Sequence, residues 1–269
     1  MSTIRVAGSR ELWMPTDDGG DADSAQTPAS LDDLFDVSGV SGGPDDPPDR
    51  EVENSGNWLS TGIEPLDRYL GGGIPPGRIV AFLSPAQTQG ELLLKHIVAQ
   101  HDSLYLSSLR PRWEVEESVR DFVQRVGEFE SNRVDTRVER LEPPNTLQEA
   151  GDRIDRLGDR SVLVIDSMEE LETDPRDEYA GFLRHVKRRL WDTGSIGLLH
   201  CVALDDPPAN RPVTLQLADI VLELRRSVQP GGVNYLLVVS KFRGGRALTE
   251  PVKLELTETV RIDTSRDIA

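Results

Sequence analysis

The sequence predicts an α/β fold: a mainly parallel central sheet wrapped by helices, with a run of antiparallel strands added at its carboxyl end. Three observations carry this. From Trp58 onward, short apolar runs alternate with amphipathic stretches of helical period. Two of those runs, Ile79 to Leu83 and Ser161 to Ile165, read as buried strands, and the second ends on an acid, Asp166. Beyond residue 220 the helical pattern stops and strand-like runs follow one another, with Pro230-Gly231-Gly232 at a turn.

In chain order, a leader from Thr61 to Gly77 precedes the first strand, Ile79–Leu83, and its helix, Gly90–Gln100. Ser103–Ser107 is the second strand. Trp113–Val126 is an amphipathic helix with Val115, Val119, Phe122, Val123 and Val126 on one side. Thr136–Leu141 is a short strand, and Leu147–Leu157 a helix opened by Thr146. Ser161–Ile165 is a strand, Glu178–Trp191 a helix and Gly194–Leu204 a further buried strand. Ile220–Arg225, Asn234–Lys241, Val252–Leu256 and Val260–Ile262 complete the set. No internal repeat is visible.

The 269 residues hold 47 acidic and 30 basic side chains, a net charge of −17. The excess is uneven. Residues 1–55 carry 13 acids against Arg5, Arg10 and Arg50, a net of −10, and the remainder carries −7. Residues 1–56 are therefore read as an acidic, disordered tail and 57–269 as the folded domain. Within the tail, Ser30 to Val37 has an N-cap and places Leu31, Leu34 and Phe35 on one helical face, fitting a docking helix or a transient turn. Leu12-Trp13-Met14 is a second apolar patch. The charge argues against broad duplex DNA binding, which rests on many phosphate neutralisations. The basic–aromatic interleaving of single-strand binders is not visible either. One cysteine, Cys201, sits in an apolar run and reads as core; it permits no intrachain disulfide, so a reducing cytoplasm is the expected compartment. No apolar stretch approaches the ~20 residues that span a bilayer, and no metal cluster is visible.

The most informative stretch is Ser60 to Gln100. The leader Thr61-Gly62-Ile63, then Leu66-Asp67, then Leu70-Gly71-Gly72-Gly73-Ile74-Pro75-Pro76-Gly77, runs into an apolar strand, a loop and a Leu-rich helix. With Ser161-Val162-Leu163-Val164-Ile165-Asp166 and the closing strands, it resembles the KaiC/RadA branch of RecA-type ATPases over roughly Trp58 to Ile268. The resemblance implies a RecA-like three-layer core with added C-terminal antiparallel strands, and a nucleotide site of Ser84, Gln87, Thr88, Gln89, Gly90, Glu91 and Asp166. A phosphate-binding loop needs G-x-x-x-x-G-K-[ST], in which Lys reaches the terminal phosphates and the hydroxyl holds magnesium. Here those two positions are Glu91 and Leu92 in one register, Gly90 and Glu91 in the other. A carboxylate stands where a triphosphate needs a cation, at a helix start that itself favours an anion. Lys95 is four residues on, roughly 6 Å further along the helix axis.

In active relatives Asp166 would hold magnesium through water; here it also fits a cap of the following turn. The water-activating acid of the branch follows the second strand, where this chain has Leu109 and Arg110. No catalytic residue is assigned. Lys241-Phe242-Arg243-Gly244 looks like the K-x-R-G segment that reaches a neighbouring subunit's nucleotide; the alternative is that Lys241 and Arg243 close a sheet edge or pair with surface acids. His200 reads as a core or edge histidine. The Arg-rich, Lys-poor acidic surface is similar to that of haloarchaeal proteins.

Three functions follow. One is a pseudo-ATPase with a degenerate loop, binding or regulating through contacts with a RecA-like paralogue or its own copies. A second is a divergent ATPase using Thr88 for magnesium and Lys95 or a neighbour's cation for the phosphates of ATP. The third is a RadA-type recombination mediator.

Overall fold

A computed structural model describes residues 58–127, 134–144, 146–229, 232–245 and 250–262. The acidic segment, with its Ser30–Val37 and Leu12-Trp13-Met14 runs, lies outside them. The described elements run in order α1 (Glu64–Leu70), β1 (Ile79–Pro85), α2 (Glu91–Val98), β2 (Ser103–Ser107), α3 (Arg112–Gly127), β3 (Thr136–Arg140), α4 (Thr146–Ile154) and β4 (Val162–Asp166). A turn of 3-10 helix (Leu171–Thr173) leads to α5 (Arg176–Thr193), β5 (Ile196–Ala203), α6 (Arg211–Leu217), β6 (Ile220–Gln229), β7 (Gly232–Phe242), β8 (Val252–Leu256) and β9 (Val260–Ile262).

All nine strands form one sheet in the order β3-β2-β4-β5-β1-β6-β7-β8-β9. The pairs from β3 through β1 to β6 are parallel, and those from β6 to β9 are antiparallel. This is the α/β class expected from the sequence, with its antiparallel extension. Two short helices, α1 and α6, escape the sequence reading. Each spans seven residues and has a proline in its first turn, too little length for a helical period to show. Gly194 also differs from expectation. It caps α5 in the left-handed region (φ 64°), donating its amide toward Leu190 and Trp191, and β5 begins two residues later.

The strand period of two divides the core. Val80, Phe82, Tyr105, Val164 and Leu198 face one side, packed with Leu93 and Ile97 of α2 and Val115 and Phe122 of α3. Ile79, Ala81, Leu104, Leu163, Ile165 and Leu199 face the other, against Ile154 of α4 and Leu183, Val186 and Leu190 of α5. Burying each such side chain stabilises the fold by about 1.5–3 kcal/mol. Cys201 is free and fully buried in the second face, as expected for a core residue, and burial pushes its thiol up. On the first face the same alternation, carried one step past the apolar residues, delivers Ser84, Asp166 and His200 at the carboxyl ends of β1, β4 and β5.

Candidate functional site: a hydrogen-bonded relay at the carboxyl edge

Register decides who meets whom. Asp166 lies opposite His200 on β5 and Ser107 on β2, and Phe82 lies opposite His200 on β1. The imidazole stacks on the Phe82 ring with centroids 5.6 Å apart. Held there, its Nδ1 is 2.7 Å from Asp166 Oδ1 and its Nε2 is 2.8 Å from Ser84 Oγ. An ionised carboxylate only accepts, so Nδ1 is the protonated nitrogen, and in the neutral ring Nε2 accepts from the Ser84 hydroxyl. The other carboxylate oxygen takes two donors: Tyr105 OH at 2.5 Å and Arg110 NH2 at 2.9 Å.

Asp166 is 8% exposed. Burial pushes its pKa up, but the hydrogen bond and charge of His200, followed by Tyr105 and Arg110, outweigh this and hold the carboxyl well below its ordinary range. Burial raises the Tyr105 phenol, and the Asp166 charge raises it further, so Tyr105 stays a donor.

The loop between β1 and α2 lies close over this group. A Cβ built on Gly90 would fall 2.6 Å from Ser84 Cβ and closer still to its hydroxyl. Gly90 has ordinary right-handed backbone angles (φ −57°), so close approach explains the glycine, not a turn. Thr88 donates its hydroxyl to the Pro85 carbonyl at 2.7 Å. Gln87 and Gln89 are exposed, and Glu91 opens α2. Lys95, one turn on, is 6% exposed. Burial lowers its pKa, with Glu91 and Asp166 opposing and Arg110 and Arg125 reinforcing the fall.

The structure thus brings Ser84, Gly90, Glu91 and Asp166 to one corner, and leaves Gln87 and Gln89 on its outer rim. It separates Lys241 and Arg243 from that corner. Val221 pairs with Lys241 and Ile220 with Phe242, where β6 starts beside Val80 of β1. Both cations therefore lie at the amino-terminal edge of the parallel strands, opposite Asp166. There Lys241 donates to the Leu215 and Gln216 carbonyls, at 2.9 and 3.0 Å, and Arg243 to Gln216, at 3.1 Å, closing the end of α6. Sequence reading missed the roles of Tyr105, Arg110 and His200. The signal was present for two of them: Tyr105 and His200 share the strand parity of Asp166.

Deeper along the same edge, Arg211 bonds Glu172 through Nε (2.9 and 2.8 Å), Glu169 through NH2 (2.6 Å) and the Val202 carbonyl through NH1 (2.9 Å). Thr214 also donates to Glu172 and is itself bonded to Tyr179. Both carboxylates bond the one guanidinium, with Glu169 Oε2 left buried and unpartnered, and the cluster reads as a brace between β5, α6 and the β4–α5 connection. Among the described residues, no helix is long and apolar enough to cross a membrane.

Comparison with known proteins agrees with this architecture. The structure is similar to the crystal structure of a KaiC-like protein from the hyperthermophilic archaeon Pyrococcus horikoshii OT3. The two are 15% identical, with a TM-score of 0.60 over 77% of this chain and 98% of that one. The nine-stranded sheet is accordingly a KaiC-like RecA fold. No curated protein sequence matches the chain. A family model matches residues 58–269, which takes in every residue of the corner, and by that match the chain belongs to the family of unknown function DUF7125.

Proposed function

We propose that this domain is a pseudo-ATPase: a KaiC-like core with a degenerate phosphate loop that binds or regulates through protein contacts and does not turn over nucleotide. The observation that carries the reading is the state of Asp166. Both its oxygens are engaged, by His200 on one side and by Tyr105 and Arg110 on the other. The guanidinium of Arg110 supplies the positive charge that a magnesium ion would otherwise bring. Magnesium requires near-ideal octahedral oxygen ligands, which a carboxylate already accepting three donors does not offer. The rest of the corner fits Mg-ATP no better. Glu91 opens α2, Gly90 is packed on Ser84, and Thr88 is turned onto its own loop. The divergent-ATPase alternative would have to break each of these contacts.

The acidic, Lys-poor composition fits a haloarchaeal protein working in concentrated salt, and the single buried cysteine fits a cytoplasmic one. A RecA-like paralogue or further copies of this chain are the partners we favour. In such an assembly Lys241 and Arg243, on the edge away from Asp166, would face a neighbour's site and not their own. A recombination mediator is the runner-up, which the sequence does not favour with the basic–aromatic interleaving of single-strand binders. Calorimetric titration with Mg-ATP in molar salt tests the proposal, with no heat of binding and phosphate release at the buffer rate as the expected result. Steady phosphate release that disappears in Asp166→Ala overturns it.

A further inference from the structure

Among the described residues, six large apolar side chains stand exposed, and all but Tyr69 of α1 gather at the carboxyl edge of the parallel strands. Leu109 and Trp113, 71% and 65% exposed, follow the end of β2. Leu204 comes one residue after β5, whose last residue lies opposite Pro85 at the end of β1. Val228 and Val233 pair across the β6–β7 hairpin. In the register that sets Leu83 beside Glu223, Pro85 is level with Arg225, so β6 passes the end of β1 from Arg226 to Gln229, roughly 13 Å. β8 takes up β7 only from Tyr235, so the pairings of β1 and β8 both stop short of this tip. Single exposed apolar residues are ordinary on a monomer, whereas a collection on one edge marks a contact surface.

Charge divides the same edge into two patches of opposite sign. On the tip, exposed Arg225 and Arg226 precede Val228, and the strand period of two puts Arg226, Val228 and Val233 on one face. Beside β5, exposed Asp205 and Asp206 follow Leu204 directly. Each patch thus joins an apolar anchor to a pair of like charges, and each has the complement of the other. A surface of that kind matches a second copy of itself turned through 180°, with the same contact made twice. We propose that the carboxyl edge is a homodimer face, Arg226, Val228 and Val233 of each copy seated on Leu204, Asp205 and Asp206 of the other. β1 lies between the two patches, so the partner covers the edge that carries Ser84 and Asp166. The inference rests on the reading of this domain as one that works through protein contacts, and it names a second copy as the partner at this edge. Lys241 and Arg243, at the opposite edge, stay open to a RecA-like paralogue.

The test is sedimentation velocity of the full chain in about 0.15 M salt, where charge acts over about 8 Å and the general repulsion of two acidic chains is damped. A dimer is expected. Arg225→Glu with Arg226→Glu sets acids against acids, and Asp205→Arg with Asp206→Arg sets cations against cations. Each pair of substitutions should weaken self-association about 10²-fold or more. Mixed in equal amounts, the two variants satisfy both contacts and should form a heterodimer about as tight as the wild type. Val228→Ser with Val233→Ser should weaken the dimer about tenfold, in molar salt as well, because apolar burial is not screened. A wild-type chain that stays monomeric at every concentration overturns the proposal and needs no variant to show it. So does a dimer that neither charge variant weakens, or a pair of folded variants that fail to associate when mixed. No nucleotide is present in these experiments, so the Mg-ATP titration judges the pseudo-ATPase reading separately.

Discussion

Two buried aspartates stand at opposite ends of the parallel strands, and their surroundings differ in kind. Asp219, 1% exposed, accepts the backbone amide of Ile79 at 2.9 Å together with Lys187 and Arg78. Its own backbone bonds Ile79 and Arg243 at 2.8 Å, so it ties the starts of β1 and β6 to the end of β7. Asp166 instead collects side chains alone through its carboxylate: an imidazole, a phenol and a guanidinium. An acid that holds backbone is part of the frame. One that holds only titratable or hydrogen-bonding side chains can lose them with the strands still in register, which is the behaviour of a site.

The contrast can be broken at Asp219. Asp219→Ala removes the acceptor of a strand amide and strands two cations, and should destabilise the domain by about 3 kcal/mol. That is near the low end for a buried pair because Lys187 is a third exposed. Chemical denaturation measures it, and a loss no larger than that of Asp166→Asn would erase the distinction drawn here.

Asp166→Asn is expected to cost less, about 1–3 kcal/mol, and to leave the far-ultraviolet spectrum intact. Its effect should also depend on pH. The folded-state pKa of Asp166 is depressed, so its stabilising contribution is present above the unfolded value near 4 and is lost as pH falls through the folded value. The gap in stability between wild type and Asp166→Asn should therefore be full at neutral pH and narrow progressively below about pH 4. A gap independent of pH would mean that the carboxylate charge contributes nothing.

A sharper cut concerns packing over Ser84. Gly90→Ala forces a methyl against the serine and should cost about 1–2 kcal/mol, recovered in the double variant with Ser84→Gly. Additive losses in that cycle would show that the loop does not lie on Ser84. The smallest effect is expected at the other edge. Lys241→Ala with Arg243→Ala removes a half-buried and an exposed cation from the end of α6 and should lower stability by a few tenths of a kcal/mol, less in high salt.

Most of the sheet was legible because apolar strands of five residues and amphipathic helices such as α3 impose their periods on the sequence. The short helices were not, since seven residues opened by a proline hold too little pattern to recognise. At the corner, residue types could be compared with what phosphate binding requires, and the expectation of a degenerate loop at Gly90 and Glu91 rests on that comparison. The relay was not legible. Ser84 and His200 are 116 residues apart, and their meeting depends on β5 lying directly beside β1, a fact of sheet order that local pattern does not encode. Arg110 could be seen as the wrong residue for water activation, yet its bond to Asp166 depends on the path of the β2–α3 loop.

The position of β1 between β5 and β6 also sets a schedule for assembly. It is the first of the described strands, and both neighbours that enclose it come from the second half of the chain. At a synthesis rate of about 5–20 residues per second, His200 follows Ser84 from the ribosome by roughly 6–23 s. In that interval β2, β3 and β4 can pair with one another, while Ile79 to Leu83 has no strand to join. The earliest of the described strands is enclosed only after β2, β3, β4 and β5 have been made, when β6 arrives.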